Sequence, residues 1–288
     1  MSKPRRSLIL AGGGLKVAFQ AGVLQAWLDE AGLEFDHVDG ASGGVFNLAM
    51  LCQGMTGTQI ANNWRELPVW QGIGLNWRSY WRLIWAESLL DYRRWRKNIF
   101  PHWCLDFGQI QASSLDASFN YYDFTEHKLV VCPPAELSAD RLIACVSLPM
   151  WFPPVRENGH VLIDAVYASD ANLLEAVRRG ADELWIIWTV SERSEWRDGF
   201  IANYFQIIET SANGQFRADL ERIEANNKVI EDGGLGEFGR IITIKQLRAE
   251  VPLHYLLNFS SDAFTRAVEL GLESGREWCE SQGITLSR

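Results

Sequence analysis

The chain has 288 residues, of which 47% are hydrophobic and 22% are charged, and its formal net charge is −9. This length and composition predict one large α/β domain or, as a less favoured alternative, two small domains. The acidic balance argues against nucleic acid as a general partner, because the protein has no overall basic field to neutralise phosphates.

Cysteine use and hydropathy bear on the cellular compartment. The five cysteines are scattered and form no CxxC pair, which indicates a reducing compartment and no zinc site. The N-terminus is basic, but the apolar run after it is too short for a signal peptide. No segment reaches the roughly 18 to 20 apolar residues that span a bilayer. We therefore expect a cytoplasmic protein that is soluble or peripheral on a membrane.

The first part of the chain contains two strand-turn-helix units. A buried strand over 7–11 runs into Gly12-Gly13-Gly14, and apolar residues at helical spacing then predict an amphipathic helix that ends at Gly32. A second strand leads to Gly40-Ala41-Ser42-Gly43-Gly44 and to an apolar helix over 45–52. Because that helix is apolar nearly all round, we expect it in the centre of the protein.

The rest of the chain continues to alternate between strands and helices. The patterns predict a helix over 58–67 with Thr58 as its N-cap, strands over 120–124 and 128–132, a buried strand over 141–146, a hairpin over 155–163, a helix over 171–179, a strand over 183–190, a helix over 202–228, a strand over 240–245 and a helix from Ser261 or Asp262 to about 281. Such alternation predicts an α/β fold with a mostly parallel sheet covered by helices on both faces.

The pentapeptide around Ser42 is a candidate nucleophile elbow. It reads G-x-S-x-G between a predicted strand and a predicted helix, which is the context that such an elbow requires. Glycine on both sides of the serine lets the backbone turn tightly and exposes the hydroxyl at the end of the strand. The pattern alone is also typical of an ordinary glycine-rich turn, so a catalytic role needs support from other residues.

The glycine run Gly12-Gly13-Gly14 exposes amide groups at the positive end of the first helix. A dinucleotide fingerprint would need glycine at position 17, where the chain has Val17, and a P-loop would need Ser or Thr after Lys16. An oxyanion hole and a plain tight turn remain as interpretations. Adjacent parallel strands would place this loop beside the elbow at one sheet edge, which favours the oxyanion hole.

A serine nucleophile needs a base. In a Ser-Asp-His triad only His254 follows Asp164 in the right order, but its apolar surroundings are more typical of a packed or surface histidine. The elbow also follows one strand, whereas the triad hydrolases build several before it. We therefore favour a carboxylate acting directly on Ser42. Asp164 ends a predicted hairpin strand, and its plain alternative is a turn aspartate bonded to its own backbone.

Four stretches, in this order, resemble the patatin-like phospholipases, a family that hydrolyses acyl esters with a Ser-Asp dyad. They are the glycine loop Gly12–Lys16, the elbow Gly40–Gly44, the stretch Ala144–Val155, which is similar to the family's A-S-x-A-x-P-x-x-F-x-P block, and Val161–Ala165, which is similar to its Asp-Gly-Gly/Ala segment. Together they cover the chain from about residue 7 to 190. The resemblance implies that Ser42 is the nucleophile and Asp164 its base.

The resemblance further implies a three-layer α/β/α patatin-like fold and a serine acyl hydrolase that cleaves phospholipid or acylglycerol esters through an acyl-enzyme, with no metal ion or organic cofactor. The amides of Gly12, Gly13, Gly14 and Gly43 would hold the oxyanion. Lys16 would support the loop electrostatically.

The chain departs from the family pattern at three places. Val17 stands where the family usually has glycine, Ala165-Val166 replaces the glycine pair after the aspartate, and the Asn-x-Pro motif is echoed only as Asn172-Leu173-Leu174. The changes beside the aspartate can narrow the space around the dyad. A catalytically degenerate patatin-like protein that binds lipid or a partner is therefore the alternative function.

Residues 68–118 are rich in tryptophan, and the patatin-like resemblance implies that they form a cap or lid over the acyl pocket within a single domain spanning 1–288. Trp77, Trp81 and Trp85 have the spacing of one helical stripe, and arginines lie between and after them. Aromatic residues edged with arginine are typical of an interfacial helix, which would bring the cap into peripheral contact with a membrane. The same spacing is more often that of a stripe packed into the core.

Overall fold

A computed structural model describes residues 3–82, 85–192, 195–253 and 261–287. In these ranges the strands are β1 (Arg6–Leu10), β2 (His37–Ala41), β3 (Gly74–Leu75), β4 (Leu90–Asp91), β5 (Ala117–Asp123), β6 (Lys128–Cys132), β7 (Val155–Glu157), β8 (His160–Asp164), β9 (Glu183–Trp188) and β10 (Thr243–Arg248). The helices are α1 (Ala18–Leu24), α2 (Gly44–Cys52), α3 (Gly57–Arg65), α4 (Val69–Gly72), α5 (Trp77–Tyr80), α6 (Phe100–His102), α7 (Phe107–Gln111), α8 (Ala139–Ala144), α9 (Leu173–Arg178), α10 (Phe200–Glu231) and α11 (Ser261–Ser281).

Eight strands form one mixed sheet in the order β10-β9-β1-β2-β5-β8-β7, and β6 also pairs with β5. The pairs β10–β9, β9–β1, β1–β2 and β2–β5 are parallel. The hairpin strands β6, β7 and β8 add antiparallel pairs at one side of the sheet. Because β1 and β2 are adjacent and parallel, the turns that follow them meet at the same edge, as the sequence predicted.

Helices cover both faces of this sheet. Side chains alternate along a strand, so Leu8 and Leu10 of β1 face one hydrophobic core and Ile9 faces the other. The first core includes side chains of α1, α2, α3 and α11, and the second includes side chains of α9 and α10. The expected α/β class and three-layer arrangement with a mostly parallel sheet are confirmed.

The predicted strand over 141–146 is wrong, because this segment contains helix α8. The Ser138 hydroxyl accepts the N–H of Arg141 at 3.1 Å and caps the helix. Leu142, Ile143 and Ala144 are all buried. A short apolar run that is surrounded by protein has no polar face, so periodicity cannot distinguish a helix from a strand there.

Thr56, and not the predicted Thr58, is the N-cap of α3. Its hydroxyl accepts the N–H of Gln59 at 3.2 Å, and the Gln59 side chain accepts the N–H of Thr56 at 2.9 Å. This reciprocal pair is a capping box. The N–H of Thr58 instead donates to the carboxylate of Asp29 at 2.6 Å. A Thr-x-Thr-Gln sequence offers two candidate caps, and the glutamine three residues after Thr56 identifies the correct one.

The tryptophans of segment 68–118 do not form the predicted helical stripe. Helix α5 ends at Tyr80, so Trp77, Trp81 and Trp85 do not share one helix; residues 83 and 84 lie outside the described ranges. The interpretation as a stripe packed into the core is also wrong, because Trp77, Trp81 and Trp85 are 67%, 76% and 75% exposed. The chain turns back here because the Ser79 hydroxyl accepts the N–H of Glu87 at 2.6 Å. Among the described helices, none is long and apolar enough to cross a bilayer.

Candidate active site

Ser42 lies at the turn between β2 and α2, and its φ of +45° places it in the left-handed region that non-glycine residues rarely adopt. The glycines after it allow a very close approach of backbones. A Cβ on Gly44 would lie 2.2 Å from the carbonyl oxygen of Leu10, and one on Gly43 would lie 2.4 Å from that of Gly14. The elbow therefore packs directly against β1 and the glycine loop.

The structure brings Ser42 and Asp164 together at the end of the sheet. The Ser42 hydroxyl donates a hydrogen bond to Oδ2 of Asp164 at 2.7 Å, and Oδ1 of Asp164 accepts the N–H of Val166 at 2.9 Å. The N–H of Asp164 donates to the carbonyl oxygen of Ser147 at 3.1 Å. The stretch 144–155 therefore fixes the end of β8 through a main-chain contact, which orients the carboxylate toward the serine.

Burial of Asp164 raises the pKa of its carboxyl group from 3.8 to about 7, because the charged form loses its hydration. The hydrogen bonds from Ser42 and from the N–H of Val166 oppose this effect, because they stabilise the carboxylate. A base with a pKa near neutrality is suited to accept a proton from a serine hydroxyl at that pH and to return it later.

The main-chain N–H groups of Gly13, Gly14 and Gly43 are available to donate to a ligand in the cavity. These glycines line the cavity beside Ser42, and their N–H groups have no acceptor within the described ranges. The N–H of Gly12, by contrast, donates to the carbonyl oxygen of Asp170 at 3.0 Å. In this geometry Gly12 shapes the loop, and its amide is already used.

Lys16 lies behind the glycine loop and outside the cavity lining. The lysine residue is 1% exposed, and its Nζ donates to the hydroxyl of Ser191 and lies 4.0 Å from a carboxylate oxygen of Glu250. Lys16 thus ties the loop to the segment after β9. Val17, which stands at the family's glycine position, is fully buried.

Apolar side chains from several elements line the cavity next to the dyad. This lining was not predicted from the sequence, because it is assembled from segments far apart in the chain. It comprises Leu15, Phe46, Tyr92, Trp95, Val146, Leu148, Phe152, Val166, Val190, Phe205, Ile208 and Ala212. Two of these aromatic residues belong to segment 68–118, which therefore contributes one wall of the cavity. Such a cavity suits a hydrocarbon chain.

A buried polar network supports the elbow from below. The side-chain nitrogen Nδ2 of Asn120 donates to both carboxylate oxygens of Asp39, at 3.0 and 2.9 Å, and to the carbonyl oxygen of Gly40 at 2.9 Å. The amide nitrogen of Asn172 donates to the side-chain oxygen of Asn120 at 2.9 Å. Burial raises the pKa of Asp39 to about 7. Asp39 lies three residues before Ser42, and Asn172 echoes the Asn-x-Pro motif; both were available as sequence signals.

His254, the histidine of the triad alternative, lies outside the described residues. In the part of the chain that the structure describes, no histidine lines the cavity. Over the same residues, no group of three or more His, Cys, Asp and Glu side chains is arranged to hold a metal ion.

Comparisons with known proteins agree with the motifs. The family model of the patatin-like phospholipases matches residues 8–177. Lysophospholipase NTE1 of Candida glabrata is 26% identical over 214 residues, which are 70% of this chain and 12% of that protein, so the chain spans only a small part of this relative's length. The crystal structure of VipD from Legionella pneumophila superimposes with a TM-score of 0.52 at 15% identity, over 97% of this chain and 67% of that one. The family model covers more than half of the chain, which therefore belongs to the patatin-like phospholipase family.

Proposed function

We propose that the protein is a serine acyl hydrolase that cleaves a lipid ester, of a phospholipid or an acylglycerol, with Ser42 and Asp164 as its dyad. The observation that carries the proposal is the 2.7 Å hydrogen bond from the Ser42 hydroxyl to a buried carboxylate beside an apolar cavity. A plain structural turn would not need a strained serine, an aspartate with a pKa near 7 and unused amides at one place.

The reaction proceeds in two half-reactions. Asp164 accepts the hydroxyl proton while Oγ of Ser42 attacks the ester carbonyl carbon, and the amides of Gly13, Gly14 and Gly43 bind the oxyanion that forms. The C–O bond to the alcohol then breaks, and the leaving oxygen takes the proton from Asp164. In the second half, Asp164 removes a proton from water, which attacks the acyl-enzyme. The acid departs, and the proton returns to Ser42.

Labelling with a fluorophosphonate probe tests the dyad. We expect the probe to label the wild type and not Ser42→Ala, and Asp164→Asn to slow labelling by orders of magnitude. Ser114→Ala, which changes an exposed serine, is the matched control and should label as the wild type does. Labelling that survives both dyad substitutions would place the nucleophile elsewhere.

The alternative of a degenerate lipid-binding protein predicts a different outcome. Turnover of p-nitrophenyl esters of several chain lengths, lost in Ser42→Ala, supports the hydrolase. Absence of turnover and labelling in the wild type, together with retained binding of a fluorescent fatty acid, would favour the binding protein. His254→Ala should leave turnover largely intact if the dyad acts without a histidine.

We also propose that the exposed tryptophans contact a membrane. Trp70, Trp77, Trp81 and Trp85 are each more than 65% exposed, and Arg78 and Arg82 lie exposed among them. Tryptophan at the level of lipid headgroups, with arginine beside it, favours a surface that carries anionic phospholipid.

The segment that carries these tryptophans also contributes Tyr92 and Trp95 to the cavity wall, so a lipid held by the segment would lie close to the cavity. The N–H of Leu89 donates to the carbonyl oxygen of Met150 at 2.9 Å, and the carbonyl oxygen of Pro149 accepts the hydroxyl of Tyr204 at 2.5 Å. Segment 68–118, the loop at 149–152 and the start of α10 are therefore neighbours. Phe152 and Phe205, from the latter two, line the cavity.

Co-sedimentation with vesicles that contain anionic phospholipid tests this contact. We expect the double variant Trp81→Ala, Trp85→Ala to partition less than the wild type, and the wild type to be released by salt. Leu235→Ala removes another apolar side chain, from a residue that is 87% exposed and follows the far end of α10, and serves as the control. Equal partitioning of all three proteins would refute the membrane contact.

A further inference from the structure

Asp170 is a buried acid in the cavity that the dyad mechanism does not use. It lines the same cavity as Ser42 and Asp164, and the residue is 3% exposed. Its Oδ1 has no hydrogen-bond partner among the described residues. A buried carboxyl group with an oxygen that lacks a partner is costly to ionise, so this position favours the protonated acid.

The carboxyl group of Asp170 lies directly against the glycine loop. The carbonyl oxygen of Asp170 accepts the N–H of Gly12 at 3.0 Å, and a Cβ on Gly12 would lie 1.9 Å from Oδ1 of Asp170. Glycine at position 12 is therefore what admits the acid to this place. The carboxyl group is next to the loop whose Gly13 and Gly14 line the cavity.

The charges around Asp170 favour its neutral form. Burial raises the pKa of Asp170 well above its usual value, and the nearby Asp164 raises it further. Glu209 of α10 lines the same cavity, but it is an acid and brings no positive charge to Asp170. Lys16 lies behind the loop, and its Nζ donates to the hydroxyl of Ser191. Asp164 and Asp170 cannot both ionise cheaply in one cavity, and Asp164 is the one whose carboxylate receives hydrogen bonds.

We propose that Asp170 is a neutral carboxylic acid that donates a hydrogen bond to the carbonyl oxygen of the ester substrate, beside the amides of Gly13, Gly14 and Gly43. This inference rests on the proposed hydrolase function of Ser42. A protonated acid stabilises the developing oxyanion without adding negative charge next to the base, and the same device operates in other enzymes that stabilise oxyanions. The proton stays on Asp170 throughout, so no further reactant is needed.

Two substitutions distinguish the role of Asp170 as a hydrogen-bond donor from its ability to ionise. Asp170→Leu removes the donor, and we expect it to lower kcat on a p-nitrophenyl ester by about 10²-fold or more with little change in KM. Asp170→Asn keeps an N–H donor that does not titrate, so kcat should stay within about tenfold of the wild type. The wild type should lose kcat/KM at alkaline pH as Asp170 ionises, and Asp170→Asn should lack that loss.

The controls distinguish this inference from the function on which it rests. Asp219→Asn changes a buried aspartate outside the cavity lining and should keep the wild-type pH profile, and thermal unfolding verifies that each variant folds. Wild-type turnover that is absent, or that Ser42→Ala retains, overturns the proposed function. If Ser42→Ala is inactive, three results would overturn the role of Asp170. The first is a wild-type kcat in Asp170→Leu, and the second is an equal loss of kcat in Asp170→Leu and Asp170→Asn. The third is a loss of kcat/KM at alkaline pH that persists in Asp170→Asn.

Discussion

Replacing Asp164 by asparagine should abolish catalysis and stabilise the fold, increasingly so as pH rises. Burial raises the pKa of this carboxyl group from 3.8 to about 7. A group whose folded pKa is raised contributes stability that is complete below its unfolded pKa and is lost as pH rises through the folded pKa. About three pKa units at about 1.4 kcal/mol each give a loss of about 4 kcal/mol in the wild type between about pH 4 and about pH 8. Asparagine does not titrate and escapes this loss.

Urea denaturation measures the effect at several pH values between those limits. The free energy of unfolding of Asp164→Asn minus that of the wild type should rise by about 4 kcal/mol from the acidic to the alkaline end. Asp232→Asn, at an exposed aspartate that follows α10, is the control for a change of charge alone. A difference that stays level or falls with pH would refute the reasoning, because it would mean that folding does not raise the pKa of Asp164.

Three further results are expected. First, kcat/KM for an ester should fall about tenfold per pH unit below about pH 7, because Ser42 needs ionised Asp164; a profile that is flat to about pH 5 in rate measurements would contradict this. Second, Gly43→Ala should lose about 1–3 kcal/mol of stability in thermal unfolding and most of its activity, because its Cβ would lie 2.4 Å from a carbonyl oxygen, whereas Gly214→Ala in α10 meets open space and should stabilise the protein by about 0.5–1 kcal/mol. Third, Asn120→Ala should cost about 3 kcal/mol in urea denaturation, and more above about pH 7 than below it, because Asp39 then ionises without its donor; a loss independent of pH would contradict this.

The sequence predicted those parts of the fold in which local pattern and chain order agree. Strand β1, the glycine loop, the elbow and α2 follow one another with clear turn signals, and the Asn158-Gly159 turn defined the hairpin before Asp164. The prediction failed at α8, because its run of consecutive buried residues, 142–145, shows no periodicity that separates a helix from a strand. It also failed at the tryptophan stripe, where regular spacing occurs without one continuous helix.

The site was predictable only as far as its motifs extend. Ser42 and Asp164 meet as expected. Ser42 follows Ala41 of β2, which pairs with Asn120 of β5, and Asp164 of the antiparallel strand β8 pairs with the next residue of β5, Tyr121. The use of the Gly12 amide by Asp170 could not be foreseen, because it depends on the path of the chain after β8. The lining of the cavity is a property of packing between distant segments, and Asp170 carries no sequence signal beyond being an aspartate.

The stability that buried acids cost when they ionise explains why the site lies at this edge of the sheet. Asp39, Asp164 and Asp170 are all buried near the elbow, and burial raises the pKa of each. A fold selected for stability alone would place apolar side chains at these positions, because an acid that must ionise there weakens the protein as pH rises. The turns after the parallel strands β1 and β2 meet at this edge, and their glycines leave no room for side chains that would cover the polar groups. These groups can therefore face a cavity whose walls include aromatic residues. The proposed role of Ser42 therefore depends on a local destabilisation that the two hydrophobic cores on either side of the sheet offset.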